Sequence, residues 1–532
     1  MLTAYTSDQI RATESTLMAR LPHGTLMERA ATGLAVTCAA MLDGVYGSRV
    51  VLLIGSGDNG GDALYAGARL AARGARVDAV LAGTRVHEAG LAALRRAGGR
   101  VTDTRAASAG GKAAPVSADG ATSRPGGDGV TSRPGTASGD GRPSRPEAGG
   151  GWGEAVRVLL GKADLVVDGL VGIGGAGALR EPYATLADLA SDAPCAVVAV
   201  DVPSGVDATS GQVAGSAVRA DVTVTFGAYK AGLLVSPGAG HAGRVEFVDI
   251  GLGPYVPEPE VTALTGADVA ALLPRPDARS DKYSRGVVGV AAGGHRYTGA
   301  AVLAVGGAIR AGAGMVRYAG VAEPVAQVRA RWPEAVITEL GAGQGIDGVG
   351  RVQAWVLGPG LGTDSESLAI ARSVLDSDVP VLVDADALTL VAQDRSLLRR
   401  TAPVLLTPHA GELSRLLDVP RERIEAAGLD HVRRAASELG VTVLLKGSTT
   451  LVAEDGLPVR VNLTGSPWLA TAGTGDVLAG LAGALLAAGL SPYDAASCAA
   501  HLHGVAGGDG PLSAWDVLEA VPAVIRSVAR RP

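Results

Sequence analysis

Val441-Thr-Val-Leu-Leu-Lys446-Gly-Ser-Thr-Thr450, followed by Thr471-Ala-Gly-Thr-Gly-Asp-Val-Leu-Ala-Gly480, decides the reading of this chain. The apolar run from Val441 to Leu445 reads as a strand that delivers Lys446 and a set of small polar residues. The glycine-rich turn then opens an apolar helix, Val477 to Ala488, with Asp476 in its first turn. Backbone N–H groups at a helix N-terminus bind anions, and a carboxylate beside them can take a proton. Those parts suit chemistry at a phosphate next to a hydroxyl. The pattern is that of an enzyme.

The same rhythm runs outward from this stretch in both directions. Strands are expected at Arg49–Ile54, Arg76–Leu81, Leu165–Val167, Ala196–Val200 and Val222–Thr225, and again at Val287–Ala291, Ala354–Leu357, Val381–Val383, Val404–Leu406 and Val441–Leu445. They alternate with Ala/Leu-rich helical stretches, which indicates βαβ units and mainly parallel sheets whose strands are covered on both faces. The fold class is therefore α/β: an N-terminal Rossmann-like three-layer α/β/α domain and a second α/β domain. Ligand sites in such folds gather at the carboxyl ends of the strands, and nearly every glycine-rich or acidic motif here follows a strand directly.

Bulk properties narrow the classes. The chain has 532 residues, 47% hydrophobic and 19% charged, long enough for two domains with large cores. Its 77 glycines and 3% aromatics imply cores of Ala, Val and Leu with many tight turns. A net charge of −6 excludes the basic stripe that a nucleic-acid surface needs. Cys38, Cys195 and Cys498 show neither zinc spacing nor a disulfide framework and read as thiols in a reducing compartment. No signal peptide or membrane span is expected: the longest apolar stretch, Val477 to Leu490, is too short and is broken by Gly480, Gly483 and Gly489. The expectation is a soluble, cytoplasmic protein, with a homo-oligomer left open.

Residues 102–151 break the rhythm. They are Gly, Ser, Ala, Pro, Arg and Asp, with near-repeats Thr122-Ser-Arg-Pro-Gly126 and Thr131-Ser-Arg-Pro-Gly135, and are expected to be a disordered insertion. A linker is expected at 251–265, where Gly251-Leu-Gly-Pro-Tyr-Val-Pro-Glu-Pro-Glu260 is rich in proline. That divides the chain into 1–250 and 266–532.

In the first part, Arg49–Ile54 runs into Gly55-Ser-Gly-Asp-Asn-Gly-Gly-Asp62 and a helix from Ala63 to Arg73. Gly55, Gly57 and Gly60 fit the dinucleotide fingerprint G-x-G-x-x-G, which keeps an oxidoreductase in view. Against it, Asp78 falls inside the second strand rather than at its end, and Asp58, Asn59 and Asp62 crowd a loop that should be bare backbone. Two more strand ends carry acids: Asp168, before Gly169-Leu-Val-Gly-Ile-Gly-Gly175, and Asp201, in Asp201-Val-Pro-Ser-Gly-Val-Asp207. Taken singly, each aspartate reads as a turn or cap residue. Together, Asn59, Asp168 and Ser204 supply hard oxygen ligands for an alkali or alkaline-earth cation, leaving Asp201 and Asp62 for acid/base work.

These motifs, from Asn59-Gly-Gly-Asp62 through Asp207, resemble the NAD(P)H-hydrate epimerase domain. The resemblance implies K⁺ held by Asn59, Asp168 and Ser204, and proton transfer by Asp201. It also implies a substrate pocket lined by Asp58, Asn59, Gly60, Gly61, Asp62, Gly172, Gly174 and Gly177. Asp58 departs from the second asparagine common in that family.

The second part repeats the logic with Asp281-Lys-Tyr-Ser-Arg-Gly286, Gly293-Gly-His-Arg-Tyr-Thr-Gly-Ala300, Gly358-Pro-Gly-Leu-Gly362, Asp384-Ala-Asp-Ala-Leu388 and Thr407-Pro-His-Ala-Gly-Glu412, closing on Gly473-Thr-Gly-Asp476. This series, about Asp281 to Gly508, resembles the ribokinase-like ADP/ATP-dependent NAD(P)H-hydrate dehydratases. The resemblance implies nucleotide binding by Lys446, Gly447, Ser448, Thr449, Thr450, Gly473, Thr474 and Gly475, with Asp476 as the base. Ala300, Gly362 and His409 would contact hydrated dinucleotide, and Mg²⁺ would accompany ADP. His409 alone would read as a capping or packing residue; Asp384 reads equally as a metal or ribose contact and as a turn former. The implied function is repair of the hydrates NADHX and NADPHX: interconversion of the R and S forms, then ADP-dependent dehydration of the S form to NAD(P)H, AMP and phosphate. Two rivals stand beside it: a vitamin or sugar kinase in the second part, and a non-catalytic dinucleotide-binding or scaffold module in the first.

Overall fold

The computed structural model describes residues 1–103 and 151–530. The short strand β1 (Leu2–Tyr5) opens the chain and is followed by helices α1 (Ser7–Met18) and α2 (Thr25–Met41). A parallel seven-stranded sheet takes β2 (Arg49–Ile54), β3 (Arg76–Leu81), β4 (Arg100–Asp103), β5 (Leu165–Gly169), β6 (Ala196–Val200), β7 (Val222–Phe226) and β9 (Arg244–Val248), in the spatial order β4-β3-β2-β5-β6-β7-β9. Strand order reverses between β2 and β5, and a crevice at their carboxyl ends is where such sheets bind ligands. Helix α3 (Asp58–Ala72) starts there, with Gly57 as its cap. Asn59-Gly-Gly-Asp62 is thus the first turn of the helix, five residues ahead of the expected start at Ala63.

The larger sheet has 12 strands. Strands β11 (Val287–Ala291), β12 (Met315–Gly320), β13 (Val336–Glu339), β14 (Ala354–Leu357), β15 (Val381–Val383), β16 (Val404–Leu406) and β17 (Thr442–Leu445) form its parallel part, in the order β13-β12-β11-β14-β15-β16-β17. A second reversal therefore falls between β11 and β14. Antiparallel β18 (Thr450–Ala453) and β19 (Val459–Asn462) extend it beyond β17.

The sheet then recruits segments from the first half of the chain. β10 (Val261–Ala263) pairs with β19, β1 pairs antiparallel with β10, and β8 (Tyr229–Lys230) pairs parallel with β1. A cut at 251–265 therefore does not separate two independent sheets. The proline-rich stretch ends at Glu260, and the three residues after it are a buried strand too short to show any periodicity. The insertion expected at 102–151 lies outside the described residues except at its margins. There Thr102 and Asp103 close β4, and Gly151 opens the helix Gly151–Leu160.

The helix Thr474–Ala487 is buried on nearly every side, so it cannot be amphipathic. It packs between the sheet and the helix Thr298–Arg310, and two glycines set the spacing. A Cβ at Gly480 would lie 2.0 Å from the Ala304 carbonyl oxygen, and one at Gly307 would lie 2.5 Å from that of Val477. No helix among the described residues is long and apolar enough to cross a membrane. Gly480→Val should force these helices apart and lower stability by about 1–3 kcal/mol. A fall in the urea unfolding midpoint checks this; an unchanged midpoint would show that the contact has slack.

Candidate active sites

The first site sits at the β2/β5 reversal. Asp168, the fourth residue of β5, is 1% exposed and is held by Ser204: Ser204 N donates to Oδ2 at 2.8 Å and Ser204 Oγ to Oδ1 at 2.7 Å. Leu170 N adds a bond of 3.2 Å, and Val171 N donates to Ser204 Oγ at 2.9 Å. Asn59 reaches across from α3, its Nδ2 donating to the Val200 carbonyl. A Cβ at Gly172 would lie 2.3 Å from Asn59 Oδ1, so glycine is what lets the loop close over that amide. Gly174 and Gly177 lie further out on the same loop, exposed.

Burial pushes the Asp168 carboxyl up to about 6, against the hydrogen bonds from Ser204 and Leu170 that favour its charge. Among the described residues no cationic side chain is paired with it. The donor set of carboxylate, hydroxyl and amide oxygens fits a weakly demanding monovalent cation, and its charge would compensate the acid. Those oxygens are of the donor type that hard cations take.

Asp201 follows β6 in a left-handed backbone conformation, φ +68°. Its Oδ1 accepts from Phe226 N at 3.1 Å and from the ammonium of Lys230, which is completely buried. Lys230 Nζ also donates to Thr225 Oγ1 at 3.1 Å and to the Phe226 carbonyl at 2.9 Å. The sequence reading missed Lys230; the available signal was a single charge inside the apolar run Phe226-Gly-Ala-Tyr-Lys-Ala-Gly-Leu-Leu-Val235. Asp62 is buried with Oδ1 lacking a hydrogen-bond partner, and burial, then the charge of Asp201, holds it well above the usual carboxylate range. Asp58 stands exposed at the first position of α3, and Gly60 and Gly61 are buried behind it. Asp78 lies mid-strand, its Oδ2 taken by Arg76 Nε at 3.2 Å, which removes the acidic partner a dinucleotide fingerprint would need.

The second site is built on the same plan. Lys446, at the end of β17, places Nζ 2.7 Å from Asp384 Oδ1 and 3.9 Å from Glu412 Oε2. Burial pulls the Lys446 ammonium down, but the charges of Asp384 and Glu412 outweigh it and hold the group above its ordinary value. Asp384 also accepts from Thr407 Oγ1 at 2.8 Å, so this strand-end acid is a member of a buried charge network. A Cβ at Gly475 would be 3.7 Å from Lys446 Nζ, which puts the ammonium against the first turn of the helix Thr474–Ala487. In that turn the Asp476 carboxyl is pushed up to about 7, first by burial and then by Asp384, with Lys446 acting in the opposite direction.

His409 caps the helix Ala410–Leu417: Nδ1 accepts from Gly411 N at 3.0 Å and Glu412 N at 3.3 Å, and Glu412 Oε2 accepts from His409 N at 2.8 Å. The capping role, which the sequence had offered as the plain alternative, is present, and Nε2 lies 3.5 Å from Glu412 Oε1. Ala300, in the first turn of the helix Thr298–Arg310, adjoins the Gly358–Gly362 turn, where a Cβ on Gly360 would come within 2.8 Å of the Ala300 Cβ. Gly362 N donates to Asp386 Oδ2 at 2.9 Å, and Asp386 is close enough to raise Asp476 further. Ala300, Gly362, Lys446 and Asp476 are therefore parts of one basin. Thr449 points elsewhere: its Oγ1 meets Ser236 Oγ at 2.8 Å, on a segment that follows β8. Gly447 and Ser448 make the turn between Lys446 and Thr450, the first residue of β18.

Two family models fit this layout: "YjeF-related protein N-terminus" over residues 23–232 and "NAD(P)H-hydrate dehydratase" over 288–522. The bifunctional NAD(P)H-hydrate repair enzyme Nnr of Mycobacterium tuberculosis H37Rv is 43% identical over 501 residues, 93% of this chain and 91% of that protein. Its namesake from Mycobacterium leprae is 42% identical over 94% of this chain and 92% of its own length. The chain belongs to the bifunctional NAD(P)H-hydrate repair enzyme family. A solved ADP/ATP-dependent NAD(P)H-hydrate dehydratase from Bacillus subtilis, co-crystallised with ATP and Mg²⁺, is 29% identical, covering 50% of this chain and 99% of its own at a TM-score of 0.45.

Within this repair-enzyme chain the Asp201–Lys230 pair makes a direct stability prediction. Lys230→Met leaves a buried carboxylate without its counter-charge and should cost about 3–5 kcal/mol. Adding Asp201→Asn to it should recover part of that loss. Thermal midpoints of the two variants and the pair form the cycle, and strictly additive losses would show that the two groups are not coupled.

Proposed function

We propose that the chain repairs hydrated NAD(P)H at two sites, and that Asp476 in its anion-binding helix turn beside Lys446 carries the chemistry of the second. The hydrate has a hydroxyl on C6 of its nicotinamide ring, a poor leaving group as it stands. Asp476 takes the hydroxyl proton, the oxygen attacks the terminal phosphoryl of ADP, and AMP departs. The C6–O bond then breaks with loss of a C5 proton, releasing phosphate and forming the C5=C6 bond of NAD(P)H. N–H groups of Gly473, Thr474 and Gly475 and the Lys446–Thr450 turn hold the phosphates. Ala300, Gly362 and His409 line the dinucleotide side.

Mg²⁺ has no resident cage: among the described residues no three His, Cys, Asp or Glu are grouped for a metal, and Lys446 engages Asp384 and Glu412. We assign it to the nucleotide phosphates, whose charge it neutralises.

At the first site Asp201, held by Lys230, and Asp62 serve proton transfer during interconversion of the R and S hydrates. Asp58, Asn59, Gly60, Gly61, Gly172, Gly174 and Gly177 shape the pocket. Asn59, Asp168 and Ser204 hold K⁺, whose charge offsets that of Asp168. Free thiols at Cys38, Cys195 and Cys498 support work in the reducing cytoplasm.

The deciding experiment gives the protein an R/S mixture of NADHX with ADP, Mg²⁺ and K⁺. Recovery of all the reduced-nicotinamide absorbance, faster than spontaneous epimerisation permits, supports both activities. A burst ending at the S fraction leaves dehydration alone, and no recovery removes the repair reading. Asp476→Asn should lower the dehydration kcat by roughly 10²–10⁴-fold. A base must be ionised to act, so kcat/KM should fall as pH drops through about 7 in the wild-type chain and lose that limb in the variant. K⁺ should raise the thermal midpoint more than an equal concentration of a large organic cation does, and Asp168→Asn should abolish the difference. An equal response in that variant would place the ion elsewhere.

A further inference from the structure

The helix Pro492–Ala506 packs against the helix Thr474–Ala487 and carries the buried His503 in its last turn. Its C-terminal half is fixed to the end of β19. Asn462 Nδ2 donates to the Ala500 carbonyl at 3.0 Å, and Thr464 Oγ1 donates to that of His501 at 3.0 Å. Gly504 sits so close to Thr464 that a Cβ would lie 2.2 Å from its Oγ1. From this rigid support His503 places Nε2 2.9 Å from the Thr474 carbonyl oxygen. A carbonyl oxygen only accepts, so Nε2 carries the hydrogen. Burial pushes the ring down to about 4, against the bond to Thr474 and together with the charge of Lys446, so the donor is neutral.

Thr474 is pinned at two points. Its Oγ1 shares one proton between the Leu469 and Thr471 carbonyls, at 2.8 and 2.9 Å, which ties the side chain to the preceding turn. Its carbonyl is held by His503. The Thr474 C=O and the Gly475 N–H belong to one planar trans peptide and point in opposite directions, so holding the oxygen aims the N–H. A hydrogen bond accepted by the oxygen also strengthens that N–H as a donor, by about 10–30%. The Gly475 N–H is one of the donors that a helix start leaves without an internal partner. A Cβ at Gly475 would lie 3.7 Å from Lys446 Nζ, so this peptide and the ammonium share one side of the basin.

We propose that His503 is a positioning residue of the dehydratase, setting through the Thr474–Gly475 peptide the aim and donor strength of the Gly475 N–H toward the transferring phosphoryl group. The proposal rests on the dehydratase reading of the second site. Phosphoryl transfer is accelerated chiefly by donors fixed in place before charge develops on the transferring oxygens. Glycine at 475 leaves the backbone free to turn, so the restraint has to come from the carbonyl end of its peptide. His503 supplies it from a helix that itself takes no part in ligand binding. Being neutral, the ring polarises the peptide without adding a second cation to the one Lys446 brings. A ring that only satisfied its own buried N–H would lower stability on removal and leave the kinetics unchanged.

The test follows dehydration of pure S-NADHX with ADP and Mg²⁺ in two variants of matched polarity, each assayed below its thermal midpoint. Glutamine can place its amide nitrogen where Nε2 stands; asparagine is too short to reach Thr474. His503→Asn should lower kcat by roughly 10–10²-fold, with Mg·ADP affinity by calorimetry changed far less, and His503→Gln should retain most of the wild-type rate. Equal kcat values in the two variants overturn the proposal, whatever their thermal midpoints. So does a loss in His503→Asn that lies wholly in Mg·ADP affinity. If His503→Asn does not fold, His503→Leu, which fills the site without a donor, takes its place with the same expectation. A wild-type chain that does not dehydrate S-NADHX removes the dehydratase reading itself, and the role of His503 with it.

Discussion

A buried carboxylate at the end of a parallel strand needs a counter-charge, and both sites are organised around how that need is met. Asp201 has Lys230, completely buried, and Asp384 has Lys446, delivered by the end of a strand. Each lysine makes its shortest ion pair with one strand-end acid, which leaves a neighbouring acid under-compensated. At the second site that neighbour is Asp476, pushed up to about 7; at the first it is Asp62, buried with an unpartnered oxygen and held well above the usual carboxylate range. One fixed ion pair and one proton-carrying acid is the common design. It raises the pKa of an ordinary carboxylate without any special side chain.

The two halves are also joined more closely than a fusion through a linker requires. β1 crosses to the larger sheet between β10 and β8, and β8 carries the lysine of the epimerase site. Lys230 is therefore placed by a strand of the sheet that bears the Lys446–Thr450 turn. Ser236, six residues later, touches Thr449 of that turn directly. Loss of β1 would leave α1 unanchored and open the larger sheet at β10. The N-terminal strand thus ties β8, which carries Lys230, to β10 of the larger sheet.

Much of this was legible in the sequence. Nine of the ten expected strands match in full, as with Arg49–Ile54 and Val287–Ala291, or differ only by extension at the carboxyl end, because strands covered on both faces read as continuous apolar runs. The glycine turns and strand-end acids followed from the same rule. What escaped shares one cause: it depends on pairing between segments distant in the chain. Leu2–Tyr5 and Val261–Ala263 are too short for periodicity and are strands because they pair with each other and with β8 and β19. Lys230 is a single charge whose meaning is set by Asp201, 29 residues away in sequence and in contact with it.

His409 shows why a motif can be right about place and silent about role. Its ring spends Nδ1 on two backbone N–H groups, which fixes the unprotonated nitrogen there and turns Nε2 to within 3.5 Å of Glu412 Oε1. The same cap fixes Glu412, whose backbone N–H it receives and whose carboxylate returns to His409 N, within reach of Lys446. Capping and function are then one arrangement: the helix end cannot be satisfied without setting the charge that, with Asp384, holds the ammonium at the mouth of the anion-binding turn. A change at His409 would reach Asp476 through Glu412 and Lys446 before it reached any ligand. The electrostatics of the phosphoryl-transfer basin are in this sense built into the secondary structure that frames it.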